Sequence, residues 1–147
     1  MSREFKNIKK ILIPTDGSDY SIRASEYGLG IAKLLGAEIL VVYVIDEVVL
    51  DQVSKLSQHD VVEAELKKDG QRYIKFVIDL AQKEGIKSGS LITEGRPFEQ
   101  ILHLAKEFNI DLIVMGTYGR RGTDRILLGS VAERVIEYST CPVIVIK

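Results

Sequence analysis

Two kinds of segment alternate along this chain, and that alternation constrains its fold more than any other feature. Short, β-branched apolar runs occupy positions 11–13, 39–45, 91–93, 111–115 and 143–146. The clearest of them are continuously apolar, the pattern of parallel strands buried on both faces. Between them the apolar residues recur at helical spacing. Ile22, Tyr27, Leu29, Ala32 and Leu35 form one such face, and Gly36 follows as a stop. Leu56, Val62, Leu66, Tyr73, Phe76, Val77 and Leu80 predict a longer helix over about 54–84, ended by Gly85. Gly70 falls inside it, at a cost of about 1 kcal/mol in a helix interior. Pro97 suits a first helical turn and is followed by Phe98, Ile101, Leu102, Ala105 and Phe108. A last helix is expected over 130–138 through Val131, Val135 and Ile136. Segment 46–60 has the least clear pattern and is expected to be a loop leading into the long helix.

This order, βαβαβαβαβ, predicts an α/β fold, an open five-stranded parallel sheet with helices on both faces and right-handed crossovers. At 147 residues the chain is expected to be a single domain, 1–147, large enough for a substantial core. Its 20 basic and 21 acidic residues leave a net charge of −1, so no general attraction to nucleic acid or to an anionic membrane is expected. No run approaches the ~18 apolar residues of a membrane span, and the polar opening MSREFKNIKK, followed only by a short apolar run, is not expected to be a signal peptide. The one cysteine, Cys141, reads as a small packed residue, and a cytoplasmic location is the default.

The final run, Val143, Ile144, Val145 and Ile146, has no successor to cover it. At a sheet edge it would present unpaired backbone groups, and pairing with a second copy would give a two-fold homodimer. The alternative is an edge protected by its shortness and by Lys147.

Ligands of open parallel sheets bind at the carboxyl ends of the strands, where the winding direction reverses. Two loops have suitable residues there, PTDGSD at 14–19 and GTYGRRG at 116–122. The second favours anions: glycines permit close backbone approach, and successive amides can form a nest for phosphate oxygens. Gly129 and Ser130 then open a helix whose free N–H groups also favour an anion. Each residue has a plainer reading. Ser130 and Glu133 fit a capping box that needs no ligand. Gly122 reads equally as a turn residue, and Arg120, Arg121 and Arg125 as a solvated surface rather than a phosphate clamp. Asp16 suits a ribose hydroxyl or Mg²⁺, and equally an Asx-turn. There is no Gly-Lys-Ser/Thr and no G-x-G-x-x-G after the first strand. His59 and His103 have no recognisable partner, and Thr15, Thr117 and Thr123 no adjacent base, so no catalytic residue is assigned.

The spacing Gly116-x2-Gly119-x9-Gly129-Ser130 resembles the signature of the universal stress protein family, in its ATP-binding branch. KKILIPTDGSDYSIRA, VVYVID, DLIVMGTYGRRG and LLGSVAERVIEYSTCPVIVIK resemble that family's segments, in order, over nearly the whole chain. The resemblance implies the strand order 3-2-1-4-5, a Rossmann-like arrangement, and ATP at the ends of strands one and four. It implies that Pro14, Thr15 and Asp16 line the adenosine side, with Asp16 near ribose or a Mg²⁺ or Mn²⁺ ion. Val44 would meet adenine through its backbone. Met115, Gly116 and Gly119 would wrap ribose and phosphates, with Arg120 beside them, and Gly129, Ser130 and Val131 would bind phosphates. It also implies a homodimer through the last strands and a stress-response regulator acting on an unknown protein partner. A slow ATPase or phosphotransferase, and a ligand-free dimeric interaction protein, stay open as alternatives.

Overall fold

The computed structural model describes residues 6–55, 58–117 and 128–147. Its parallel sheet has the order β3-β2-β1-β4-β5, as the resemblance implied. The strands are β1 (Lys10–Pro14), β2 (Glu38–Asp46), β3 (Ser88–Gly95), β4 (Leu112–Gly116) and β5 (Val143–Ile146). The helices are α1 (Asp19–Leu35), α2 (Glu47–Ser54), α3 (His59–Lys83), α4 (Pro97–Glu107) and α5 (Ser130–Tyr138). Because side chains alternate along a strand, successive residues of β1 enter different cores. Ile11 and Ile13 pack with Ala24, Leu29, Val77 and Ala81 of α1 and α3. Leu12 packs with Ile101, Leu104, Ala132 and Val135 of α4 and α5. The winding reverses between β1 and β4, which pair directly through Ile11↔Leu112 and Leu12↔Ile113.

Three local expectations are corrected. Segment 46–60 is not simply a loop: Asp46 caps α2, its Oδ1 accepting from the Val48 amide at 3.0 Å. Leu50 anchors that short helix by complete burial. α3 accordingly starts at His59 rather than near 54, and Leu56 lies outside the described residues. β3 runs over eight residues rather than three, because β2 offers it partners from Ile39↔Ser88 to Asp46↔Gly95. The inner face of α1 consists of small residues, Ser21, Ala24, Ser25, Gly28 and Ala32, with Leu29. Tyr27 and Leu35 are exposed instead. The helix sits too close to the sheet for bulk there: a Cβ on Gly28 would come 2.6 Å from Cδ1 of Ile13.

α3 passes through Gly70 without a break, and Gly36 and Gly85 adopt the positive φ (66° and 69°) that ends a helix. At the amino ends of the strands, Asp111 ties down the start of β1. Its Oδ2 accepts from the amides of Lys9 (2.9 Å) and Lys10 (3.1 Å), and its Oδ1 pairs with the Lys6 ammonium at 3.0 Å. Burial acts to raise its pKa, but the two amides and the ammonium together hold it below the usual carboxylate value.

Candidate functional site

At the carboxyl ends of β1, β2 and β4 lies a cavity of about 340 Å³. Local chemistry builds each wall. After β1, Gly17 turns the chain with φ +80°, and Asp16 closes an Asx-turn, its Oδ1 accepting from the Ser18 amide at 2.9 Å. Ser18 then caps α1 through the Ser21 amide. Asp16 thus does what its plainer reading expected while also lining the cavity. Thr15 is held from behind, its amide donating to the Val42 carbonyl at 2.8 Å and its hydroxyl 3.3 Å from that of Ser21.

The opposite wall is the end of β4 and the start of α5. The Gly129 amide donates to the Thr117 carbonyl at 2.6 Å, joining the two ends of the segment between them. Gly129, not Ser130, is the N-cap of α5, and it makes no side-chain cap bond. The capping-box reading of Ser130 and Glu133 is therefore corrected. Ser130 is the first helical residue and lines the cavity with Val131 and Ala132. Amides of a first helical turn have no intrahelical acceptor. The glycine at 116 answers first to packing: a Cβ there would come 2.9 Å from the backbone carbon of Tyr20.

Of the residues singled out in the sequence, Pro14, Thr15, Asp16, Val44, Met115, Gly116, Gly129, Ser130 and Val131 all line this one cavity. Gly119 and Arg120 lie outside the described residues, as do Tyr118, Arg121, Gly122, Thr123 and Arg125. Sequence reasoning missed the apolar wall formed by Val42, Tyr43, Val49, Leu66, Pro97 and Ile101. Val49 belongs to the segment expected to be a loop, Pro97 read only as a helix start, and the others read only as strand or helix core. The sequence marks Thr117 only as a hydroxyl with no adjacent base. It is 4% exposed, it lines the cavity, and its Oγ1 has no hydrogen-bond partner among the described residues. The signal for it was its place immediately after Gly116 at a strand end.

Residues 7–147 match the universal stress protein family. The chain belongs to that family. Universal stress protein MJ0531 of Methanocaldococcus jannaschii is 43% identical over 139 residues, covering 95% of this chain and 82% of that protein. The fold is also that of solved structures. Protein MJ0577 superposes with a TM-score of 0.86 at 31% identity, covering 97% of both chains. A universal stress protein in complex with cAMP superposes with a TM-score of 0.73 at 26% identity, covering 97% of this chain and 99% of that one. Among the described residues, no helix of this family member is long and apolar enough to cross a membrane.

Proposed function

We propose that this universal stress protein is a cytoplasmic, ATP-binding regulator of the stress response. The buried Thr117 hydroxyl carries the reading. An unpaired hydroxyl out of water costs about 1–3 kcal/mol, so a polar ligand atom in this cavity would repay its burial. The surroundings fit a nucleotide. Val49, Leu66 and Pro97, each partly exposed, offer an apolar surface to a base, and Thr117 and the start of α5 offer donors to phosphate oxygens. Related proteins support the class, since one structure of similar fold holds a cyclic adenine nucleotide.

In this reading the Val44 backbone meets adenine, while Met115 and Gly116 flank the ribose. Gly129, Ser130 and Val131 bind phosphates through their amides, and Gly119 and Arg120 complete the phosphate end. Asp16 holds the ribose or a Mg²⁺ or Mn²⁺ ion accompanying the triphosphate. Such an ion would neutralise phosphate charge. The described lining has two carboxylates, Asp16 and Asp46, and no His, Cys or Lys. Both carboxylates accept backbone amides at helix or turn starts, which favours holding a nucleotide over turning it over. β5 lies at a sheet edge with Ile144 partly exposed, and supports a homodimer through Val143, Ile144, Val145 and Ile146. A protein partner would read the occupied state.

Mass spectrometry of nucleotide released from freshly purified protein, with calorimetric titration of Mg-ATP, tests the proposal. Stoichiometric adenine nucleotide is expected. Gly129→Val should abolish binding without unfolding the chain, because Gly129 has φ −68° and ψ 155°, a conformation open to any residue. Absence of binding at millimolar Mg-ATP by the unaltered protein would sink it.

A further inference from the structure

His59 and Glu63 stand one turn apart on α3, with Nδ1 of the imidazole 3.7 Å from Oε2 of the carboxylate. Side chains at this spacing share a helix face. Glu94, near the end of β3, brings a third ligand atom to the same spot, and the three atoms all lie within 4.8 Å of one another. It is the one such grouping of three or more His, Cys, Asp or Glu side chains among the described residues. Nor is it neutralised from within. The nearby guanidinium, that of Arg96, pairs with Glu47 and Glu99. No Lys or Arg among the described residues pairs with Glu63 or Glu94. Asp60, 3.8 Å from the same imidazole nitrogen, adds further negative charge.

We propose that His59, Glu63 and Glu94 form a surface site for a divalent transition cation of the Zn²⁺ type. Zn²⁺ accepts imidazole nitrogen and carboxylate oxygen at about 2.0–2.2 Å, which places tetrahedral ligand atoms about 3.4 Å apart. The helical pair already stands close to that spacing, and rotation of the exposed Glu94 side chain supplies the rest. One nitrogen and two oxygens suit Zn²⁺, whereas Mg²⁺ and Ca²⁺ favour oxygen alone. Water completes the fourth position. None of the three residues lines the proposed nucleotide cavity, so a nucleotide supplies no ligand to the metal. Bound metal would staple the start of α3 to the end of β3 and fix the helix that carries Leu66 into the cavity wall.

The molecule contains its own control. His103 and Glu107 form the same i, i+4 pair on α4, Nε2 to Oε2 at 3.2 Å, with no third ligand among the described residues. Nucleotide-free full-length protein is titrated calorimetrically with ZnCl₂ and, separately, with MgCl₂. One equivalent of Zn²⁺ should bind, with no comparable heat from Mg²⁺. His59→Ala and Glu94→Gln should each weaken Zn²⁺ binding tenfold or more, while His103→Ala leaves it unchanged. Failure of the unaltered protein to bind Zn²⁺, an unchanged affinity in Glu94→Gln, or an equal loss in His103→Ala would overturn the proposal.

Discussion

The ring of Tyr43 lies against the backbone of Gly70, so closely that a Cβ there would fall far inside van der Waals contact with its Cδ1. Tyr43 belongs to β2, lines the cavity and is 6% exposed. Gly70 is therefore what lets α3 pass across the sheet with an aromatic ring beneath it. Replacing a helical glycine by alanine ordinarily stabilises by about 1 kcal/mol. At position 70 the sign should reverse, with Gly70→Ala costing about 1–3 kcal/mol through overpacking. Gly30 of α1 is the opposite case, since a Cβ added there would meet nothing within 4 Å. Gly30→Ala should stabilise by about 0.5–1 kcal/mol. Urea midpoints of the two variants, read against the unaltered chain, check both signs.

Thr117→Val separates binding from folding. The valine has nearly the same shape and lacks the oxygen that has no partner among the described residues. Without nucleotide the variant should be more stable, by about 1 kcal/mol, which is a rise of about 2–4 °C in Tm. Its affinity for ATP should fall about tenfold, the equivalent of ~1.4 kcal/mol. A variant that binds ATP as tightly as the parent would remove Thr117 from the site.

Asp111 predicts a pH dependence. Its folded pKa is held low, so its stabilisation is complete above the unfolded value of about 3.9 and is lost as pH falls through the folded value. Asp111→Ala should cost about 1.5–3 kcal/mol at neutral pH, since charge-assisted bonds to two amides disappear. The gap between parent and variant should narrow below about pH 3.9. Denaturant unfolding at neutral and acid pH measures it, and a gap constant across that range would refute the assignment.

For the proposed dimer, Ile144→Lys places a charge on the edge strand β5, where Ile144 is 37% exposed. Light scattering after size exclusion should show the parent as a dimer and the variant as a monomer. A dimeric variant would move the interface elsewhere.

Residues differ in how much of their structural role the sequence reveals. Ile11, Leu12 and Ile13 announce a doubly buried strand, because continuous apolar character is incompatible with a solvent face. The same logic fails for Ser88, Gly89 and Ser90. They are strand because β2 beside them is long, and a partner's length leaves no mark on the dependent segment. α2 went unread since one buried leucine anchors it and its cap, Asp46, ends the preceding strand. At the site, the residues legible in advance were those in the glycine-, proline- and aspartate-marked strand-end loops, with Val44, Met115 and Val131 implied by the family resemblance alone. Thr117 and Leu66 were not, because a hydroxyl without a partner among the described residues and a core-packed leucine that also faces a cavity become visible only once the surrounding walls are in place.

The bond between the Gly129 amide and the Thr117 carbonyl has a further consequence. It holds Thr117 and Gly129 together and so fixes where the chain leaves β4 and enters α5. What is inserted there need not move the donors of α5, because their position is set at that bond. Doubling the length of such an insert costs only about 0.6 kcal/mol in closure entropy. Exchange of the residues between Thr117 and Gly129 is thus a route by which specificity at the proposed phosphate end could be rewritten while sheet and helices are kept.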